Sequence, residues 1–253
     1  MTALVTGASS GIGKDIAREL NRRGIRLIIS GRNESELEKL RDELGRNRVK
    51  IIAADLSKKE ECFRLFEAVK PYNVSILVND AGFGLFGKFK ETSLETELEM
   101  IEVNVMSVHI LTKLFIHEFT AKNRGYILNV ASAAGFMPGP YMAAYYSTKN
   151  YVVRLTEAVR QELKNEGSTV SISAFCPGPV DTNFNNNAGV KFNLSGISSE
   201  YAAKCAVKGL FEGKALIVPT ALMKLMVYGS GLVPPMLLAK VAGKIQSRKG
   251  DVK

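Results

Sequence analysis

A tyrosine and a lysine stand four residues apart in the segment Tyr145-Tyr146-Ser147-Thr148-Lys149. Side chains at this spacing share one face of a helix, so Tyr145 and Lys149 are expected to lie side by side. A neighbouring ammonium group favours the phenolate and lowers a phenol pKa that is ordinarily about 10. Tyr145 has this spacing and Tyr146 does not, so Tyr145 is the predicted proton-transfer residue. A lone pair of this kind is also common on solvated helix faces.

Ser132 follows the apolar run Tyr126–Val130, which has the composition of a buried β-strand. The carboxyl ends of parallel strands form the edge at which ligands of open α/β sheets bind. A hydroxyl group at that edge is suited to hydrogen-bond a substrate oxygen and to stabilise the charge that develops on it. Ser132 is therefore predicted to act beside Tyr145.

A glycine-rich segment directly follows the first apolar run, Ala3–Val5. Glycines at such a position let the backbone turn sharply and approach a pyrophosphate, while the next helix offers unpaired N–H groups and a positive dipole. The alternative is a tight glycine turn without a ligand, but the position after the first strand favours a dinucleotide site. The predicted cofactor-binding residues of this segment are Gly7, Ser9, Ser10, Gly11, Ile12 and Gly13.

The end of the second apolar run, Leu27–Ser30, bears on which nicotinamide cofactor is bound. An acidic side chain there would grip the ribose 2′-hydroxyl and repel a 2′-phosphate, but the chain continues Gly31-Arg32-Asn33 without a carboxylate. An arginine forms charge-assisted hydrogen bonds to phosphate. Arg32 therefore predicts NADP(H) rather than NAD(H), unless it is simply a solvated surface arginine. Further candidates around the phosphate are Ser9, Ser10 and Lys14.

Short apolar runs alternate with segments of helical periodicity along the chain, which indicates βαβ units and a parallel sheet. The runs are almost continuously apolar, as expected when helices cover both faces of the sheet. This pattern predicts a single-domain Rossmann-type α/β fold over residues 1–220, with a doubly wound parallel sheet of about seven strands. The predicted strands are Ala3–Val5, Leu27–Ser30, Ile51–Ala54, Ile76–Val78, Tyr126–Val130, Val170–Phe175 and Leu216–Val218.

Two stretches fall outside this alternation. Residues 183–199 are rich in Asn, Gly and Ser with scattered apolar residues, as in a flexible lid. Residues 221–253 form a basic C-terminal extension with two apolar segments, Leu222–Val227 and Leu232–Leu238, each too short to cross a bilayer. Ordinary packing on the same domain is one interpretation of the extension. Weak contact with an anionic membrane, a subunit interface and a cover for the substrate cleft are the others.

Charge and cysteine content narrow the classes of partner. Lysine and arginine (34) exceed aspartate and glutamate (25), and the formal net charge of +9 favours acidic partners. The basic residues are scattered and no dense run interleaves with aromatics, so nucleic-acid binding is not expected. Three widely spaced cysteines, Cys62, Cys176 and Cys205, form no CxxC pair and no even-numbered disulfide framework. A reducing cytoplasm fits best, and no metal site is expected.

These motifs occur in the order found in the short-chain dehydrogenase/reductase family, which the chain resembles over at least residues 1–220. The matches are Thr6 to Gly13 (TGxxxGxG), Asp55-Leu56 (an acidic residue after the third strand), Asn79-Asp80-Ala81-Gly82 (NNAG), Pro177 to Thr182 (PGxVxT) and the tetrad Asn104, Ser132, Tyr145 and Lys149. Asp80 departs from the pattern, because it stands where the NNAG motif has its second asparagine.

The resemblance implies an enzyme that transfers hydride between NADP(H) and a carbonyl or secondary alcohol group. Tyr145 would transfer the proton and Ser132 would orient the substrate oxygen. Lys149 would hold the nicotinamide ribose, and Asn104 would hold a water in a proton relay. A plainer role for Asn104 is to satisfy backbone groups inside its helix. The further cofactor contacts that the resemblance implies are Asp55, Leu56, Asn79, Ala81, Gly82, Tyr145, Lys149, Pro177, Gly178, Val180 and Thr182.

Substrate contacts are expected from Phe83, Gly84, Phe136 to Met142 and Phe184. Phenylalanine and methionine prevail among them and no arginine is present, which favours an apolar carbonyl or alcohol substrate. Family members are often dimers or tetramers, so a homodimer or homotetramer is expected. Two rival functions are a catalytically silent NADP(H)-binding regulator and a membrane-associated scaffold. A regulator has no evident need for Tyr145 beside Lys149, which favours the enzyme.

Overall fold

The apolar runs of the sequence form the strands of a parallel sheet. The computed structural model describes residues 1–182 and 196–247. The strands are β1 (Thr2–Val5), β2 (Arg26–Ile29), β3 (Val49–Ile51), β4 (Ile76–Asn79), β5 (Tyr126–Val130), β6 (Ser171–Phe175), β7 (Val180–Asp181), β8 (Ile197–Ser198) and β9 (Leu216–Ile217). Within this described part of the chain, seven of them form one parallel sheet in the order β3-β2-β1-β4-β5-β6-β9, and β7 pairs with β8.

Helices connect the strands and lie on both faces of the sheet. They are α1 (Gly11–Arg22), α2 (Glu34–Leu44), α3 (Lys59–Val69), α4 (Leu94–Ile101), α5 (Ser107–Ala121), α6 (Ala143–Asn165), α7 (Ser199–Phe211), α8 (Ala221–Ser230) and α9 (Pro235–Gln246). A π-helical turn, Glu102–Met106, joins α4 to α5, and short 3₁₀ turns span Lys70–Tyr72 and Ala133–Phe136. Among the described residues, no helix has both the length and the apolar character needed to cross a membrane.

Alternate side chains of β1 show how the two faces are buried. Ala3 and Val5 pack with apolar side chains of α1, α2 and α7. Leu4 points to the other face and packs with side chains of α3 and α5, including Leu65 and Phe115. Because both faces are covered, most positions of the central strands are apolar, which explains the nearly continuous apolar runs in the sequence.

The strand order places a crevice at the carboxyl edge of the sheet. Strand β1 pairs with β2 on one side and with β4 on the other, so the direction of winding reverses there. Ligands of open α/β sheets bind outside the strand ends at such a reversal. The loops that follow β1, β4, β5 and β6 carry the sequence motifs and meet at this edge.

The predicted fold class is confirmed, and outside the third strand the predicted strand ends differ from the observed ones by at most one residue. The third strand spans Val49–Ile51 rather than 51–54, although the Ile52 and Ala54 N–H groups still bond to carbonyls of Ile29 and Gly31. The β7–β8 pair was not predicted, since two residues per strand leave no periodic pattern. Most of the predicted lid, residues 183–195, lies outside the described residues, and its end forms β8 and the start of α7.

Candidate active site

A cavity of about 700 Å³ opens at the carboxyl edge of the sheet. Its wall is built by the loops after β1 to β6 and by residues of α6, α8 and α9. The predicted cofactor residues on this wall are Gly7, Ser9, Ser10, Gly11, Ile12, Arg32, Asp55, Leu56, Ala81, Gly82, Tyr145, Lys149, Pro177, Gly178, Val180 and Thr182. Residues that are far apart in the sequence therefore share one wall.

The glycine-rich turn packs too closely for side chains at two positions. Gly7 has φ +68°, and a Cβ atom there would lie 2.7 Å from the Ala81 nitrogen. A Cβ atom at Gly13 would collide with a carboxylate oxygen of Asp80. Gly13, also predicted to bind the cofactor, is not among the residues that line the cavity. Glycine at both positions lets the turn approach β4 and face the cavity with bare backbone.

Helix α1 begins at this turn. Its N-cap residue, Ser10, makes no side-chain capping hydrogen bond, and its first turn contains no acidic residue. The N–H groups of that turn favour an anion, and the Asp80 carboxylate already accepts one of them, from Gly13. Lys14, a predicted phosphate candidate, instead lies 3.7 Å from the Glu36 carboxylate and does not line the cavity.

The residues after β2 and β3 line the end of the cavity away from α6. Arg32 is on the wall, but its guanidinium donates a hydrogen bond to Glu99 of α4 at 2.7 Å. No pattern in the sequence indicates this partner, which is 67 residues away. Asp55 accepts hydrogen bonds from the Ser57 N–H (3.3 Å) and hydroxyl (2.9 Å). These contacts hold the Asp55 side chain in a fixed position on the wall.

Tyr145, Ser132 and Lys149 meet on the opposite wall. Because α6 begins at Ala143, Tyr145 lies in its first turn and Lys149 one turn later. The Tyr145 phenol is hydrogen-bonded to the Ser132 side chain, whose oxygen also accepts the Ala134 N–H at 3.1 Å. The Lys149 Nζ lies 5.9 Å from the centre of the Tyr145 ring. The expected side-by-side arrangement is therefore present.

Burial has the largest effect on the pKa values of Tyr145 and Lys149. It raises the pKa of Tyr145 above its ordinary value, although the hydrogen bond with Ser132 lowers it. The expected direction, a lowered pKa, is wrong here because loss of solvent outweighs favourable contacts. Burial also lowers the pKa of Lys149 to about 8, opposed by the charge of Asp80. A tyrosine that keeps its proton at neutral pH is in the form that can donate it.

Comparison with known proteins decides the family. The sequence profile described as short chain dehydrogenase matches residues 1–192. This chain is a short-chain dehydrogenase. An oxidoreductase of Bacillus subtilis, YvrD, is 36% identical over 181 residues, which are 71% of this chain and 68% of that protein. As an oxidoreductase of this family, the chain has a nucleotide-binding fold that positions the groups described above.

Solved structures of short-chain dehydrogenases share the fold. A Sphingobium yanoikuyae enzyme in complex with NADPH has a TM-score of 0.84 and 24% identity, covering 100% of this chain and 97% of that one. A Burkholderia phymatum protein in complex with NAD has the same TM-score, 0.84, and 24% identity, covering 92% and 95%. Neighbours of this short-chain dehydrogenase therefore bind either nicotinamide cofactor.

Two asparagines of the family motifs lie behind the wall of this dehydrogenase. Asn104, in the π-helical turn, bonds through its side chain to the Phe83 N–H (3.0 Å), the Phe83 carbonyl (2.8 Å) and the Thr148 hydroxyl (3.1 Å). The Asn79 amide donates to Asn129 (2.9 Å) and Thr112 (3.2 Å). Neither side chain reaches the cavity. Asn104 supports the Phe83 loop and its partners lie outside its own helix, whereas Asn79 joins β4 to β5 and α5.

The substrate end of the cleft is mainly apolar. Of the residues predicted there, Phe83, Met137 and Met142 line the cavity, whereas Gly84 and Phe136 do not, and Phe184 lies outside the described residues. The sequence did not identify a second group of wall residues, Tyr146, Leu222, Met223, Met226, Ala242, Ile245 and Gln246. Most of them belong to α8 and α9, the two helices of the C-terminal extension, which line part of the cleft.

Proposed function

We propose that this short-chain dehydrogenase transfers hydride between NADP(H) and a carbonyl or secondary alcohol group of an apolar substrate. The observation that carries the proposal is the grouping of Tyr145, Ser132 and Lys149 on a cavity wall that also holds the glycine-rich turn. A nicotinamide dinucleotide fits the residues present, since the bare backbone near Gly7 and the N-terminus of α1 form a cradle that a Cβ atom would fill.

In the direction of reduction, a reduced nicotinamide held on this wall would supply the hydride that the carbonyl carbon takes up. Tyr145 donates its phenol proton to the carbonyl oxygen, and the Ser132 hydroxyl hydrogen-bonds the same oxygen and stabilises its developing charge. Lys149 places a positive charge near the phenolate that remains and would hold the nicotinamide ribose. Asn104 keeps the Phe83 backbone and Thr148 in place beside these groups. Substrate oxidation reverses these proton movements.

The remaining cofactor contacts follow from the wall. The backbone from Gly7 to Ile12 would hold the pyrophosphate, Asp55 and Leu56 the adenine, and Val180 and Thr182 the carboxamide. Arg32 favours NADP(H) over NAD(H), because its pair with Glu99 is exposed and such pairs contribute only about 0–1 kcal/mol. A 2′-phosphate carries more charge than a carboxylate and competes well for the guanidinium.

We also infer that the protein is cytoplasmic and forms a homodimer or a homotetramer.

The test follows NADPH consumption with a panel of apolar ketones, using wild type and Tyr145→Phe. If the protein is this enzyme, we expect wild type to turn over a ketone and Tyr145→Phe to lose turnover. Both proteins should bind NADPH with equal affinity, as measured by cofactor fluorescence. Full activity of Tyr145→Phe would exclude Tyr145 as the proton donor. Tight NADPH binding without turnover of any carbonyl or alcohol would instead favour the silent regulator.

A further inference from the structure

The outer face of the C-terminal extension exposes a large apolar surface. Helices α8 and α9 and the turn between them present the side chains of Leu222, Leu225, Met226, Tyr228, Leu232, Met236, Leu237, Val241 and Ile245, each between 42% and 89% exposed. So many exposed large apolar side chains on two short helices are uncommon on monomeric soluble proteins and indicate a contact site. We call these nine side chains the tail surface.

This exposure is not the result of loosely attached helices. The inner face of α8 buries Val227 and Ser230, and the inner face of α9 buries Ala242 and Gln246. The Gln246 amide donates a hydrogen bond to the Tyr146 hydroxyl at 2.6 Å. Both helices are therefore fixed to the domain with apolar side chains on the inner and the outer face.

The charge around the tail surface is of one sign. Between Glu212 and Asp251 the sequence contains no acidic residue, whereas Lys224, Lys240 and Lys244 are exposed on the two helices. Anionic lipid headgroups attract such lysines by about 1 kcal/mol each. A second copy of the chain would bring like charges together, so the charge pattern disfavours self-association through this face.

Helix length indicates how these helices would meet a bilayer. Helix α8 has 10 residues and α9 has 12. At about 1.5 Å per residue, each is roughly half as long as the hydrocarbon core is thick, about 30 Å. Short helices with an apolar face and flanking lysines lie in the interfacial plane of a membrane.

The tail surface is continuous with the cavity. Leu222, Met226 and Ile245 line the cavity and are also 65%, 42% and 46% exposed, respectively. The same side chains thus form the mouth of the cleft and part of the tail surface. An apolar molecule could pass from a bilayer into the cleft without crossing water.

We propose that the tail surface docks on an anionic lipid bilayer and that the cleft takes its apolar substrate from that bilayer. The docking stands on exposure and charge alone. The delivery of substrate rests on the proposed function.

Docking is tested by flotation with phosphatidylcholine vesicles and with vesicles containing one-third phosphatidylserine, at low and at high salt. Wild type is expected to float with the anionic vesicles at low salt. The double variant Leu225→Ser/Leu232→Ser should bind at least about tenfold more weakly, since it removes two apolar anchors. The vesicle affinity of Lys240→Gln/Lys244→Gln should be lower than that of wild type by about fivefold for each lysine removed. The matched control is Phe89→Ser/Leu94→Ser, which removes side chains of similar exposure, 70% and 68%, outside the extension.

Absence of vesicle binding by wild type overturns the docking, as does binding that the tail variants and the control lose equally. A dimer in sedimentation equilibrium that only Leu225→Ser/Leu232→Ser dissociates would assign the tail surface to self-association instead. Delivery is tested with an apolar ketone dissolved in the vesicles. The variant Leu225→Ser/Leu232→Ser should lose activity toward this ketone and keep wild-type activity toward a water-soluble ketone. Retention of both activities by this variant, or equal loss of both, would overturn delivery. Wild type that turns over neither ketone would count against the proposed function instead.

Discussion

The Asp80 carboxylate and the Lys149 ammonium each favour the charged form of the other at the wall of the cleft. Burial opposes both charges: it raises the pKa of Asp80 to about 7 and lowers the pKa of Lys149 to about 8. The Gly13 N–H also stabilises the ionised Asp80. The aspartate that departs from the family motif therefore connects the cofactor turn to the lysine beside Tyr145.

Replacement of Asp80 by asparagine should move the pH dependence of catalysis. The substitution keeps the shape of the side chain and removes the charge that raises the pKa of Lys149. Lys149 then loses its proton at a lower pH than in wild type. The high-pH limb of the kcat/KM profile for ketone reduction is expected to shift to lower pH, as measured from about pH 5 to 10. An unchanged profile would show that Asp80 does not act through the lysine.

The same variant should be more stable than wild type at high pH. Because the pKa of Asp80 is raised from 3.8 to about 7 by folding, its ionised form destabilises the fold. This destabilisation is complete above about pH 7, decreases as the pH falls, and is absent below the unfolded pKa of 3.8. Thermal unfolding should show a higher Tm for Asp80→Asn at pH 8 and equal Tm values near pH 3.5. A difference in Tm that does not depend on pH would contradict this linkage.

Local motifs predicted the strands and much of the cavity wall, because the glycine-rich segment and Ser132 each come just after a buried strand. The carboxyl ends of parallel strands meet at one edge, so Ser132 and Gly7 had to lie together there. Spacing on one helix likewise placed Tyr145 beside Lys149. These inferences needed only neighbouring residues and the strand periodicity.

Properties that depend on contacts between residues far apart in the chain could not be predicted from the sequence. The pKa of Tyr145 moves opposite to the predicted direction because burial, which spacing does not encode, dominates. The hydrogen bond from Asn79 to Asn129, 50 residues away, has no counterpart in the sequence pattern. Gln246 reaches Tyr146 across 100 residues, and no pattern in the sequence links an amphipathic tail to a specific wall of the cleft.

The pair of Arg32 and Glu99 should modulate cofactor preference. Loss of the guanidinium in Arg32→Ser removes charge-assisted hydrogen bonds of about 1.5–3 kcal/mol, so the Kd for NADP(H) should rise about tenfold or more. The Kd for NAD(H) should change little. Glu99→Gln removes the competing carboxylate and should tighten NADP(H) binding. Cofactor titrations of both variants check this, and parallel changes in the two Kd values would exclude Arg32 as the contact to the 2′-phosphate.

The hydrogen bond from Gln246 to Tyr146 should hold α9 over the cleft. Tyr146→Phe leaves a buried amide without its partner, which costs about 1–3 kcal/mol. In the double variant Tyr146→Phe/Gln246→Met the polar group is gone, so part of this loss should return. Chemical unfolding of the two single variants and the double variant gives the coupling energy. Hydrogen exchange of α9 amides should be faster in Tyr146→Phe, and KM for an apolar ketone should rise more than kcat falls. If the losses in the single variants simply add in the double variant, this hydrogen bond does not hold the extension against α6.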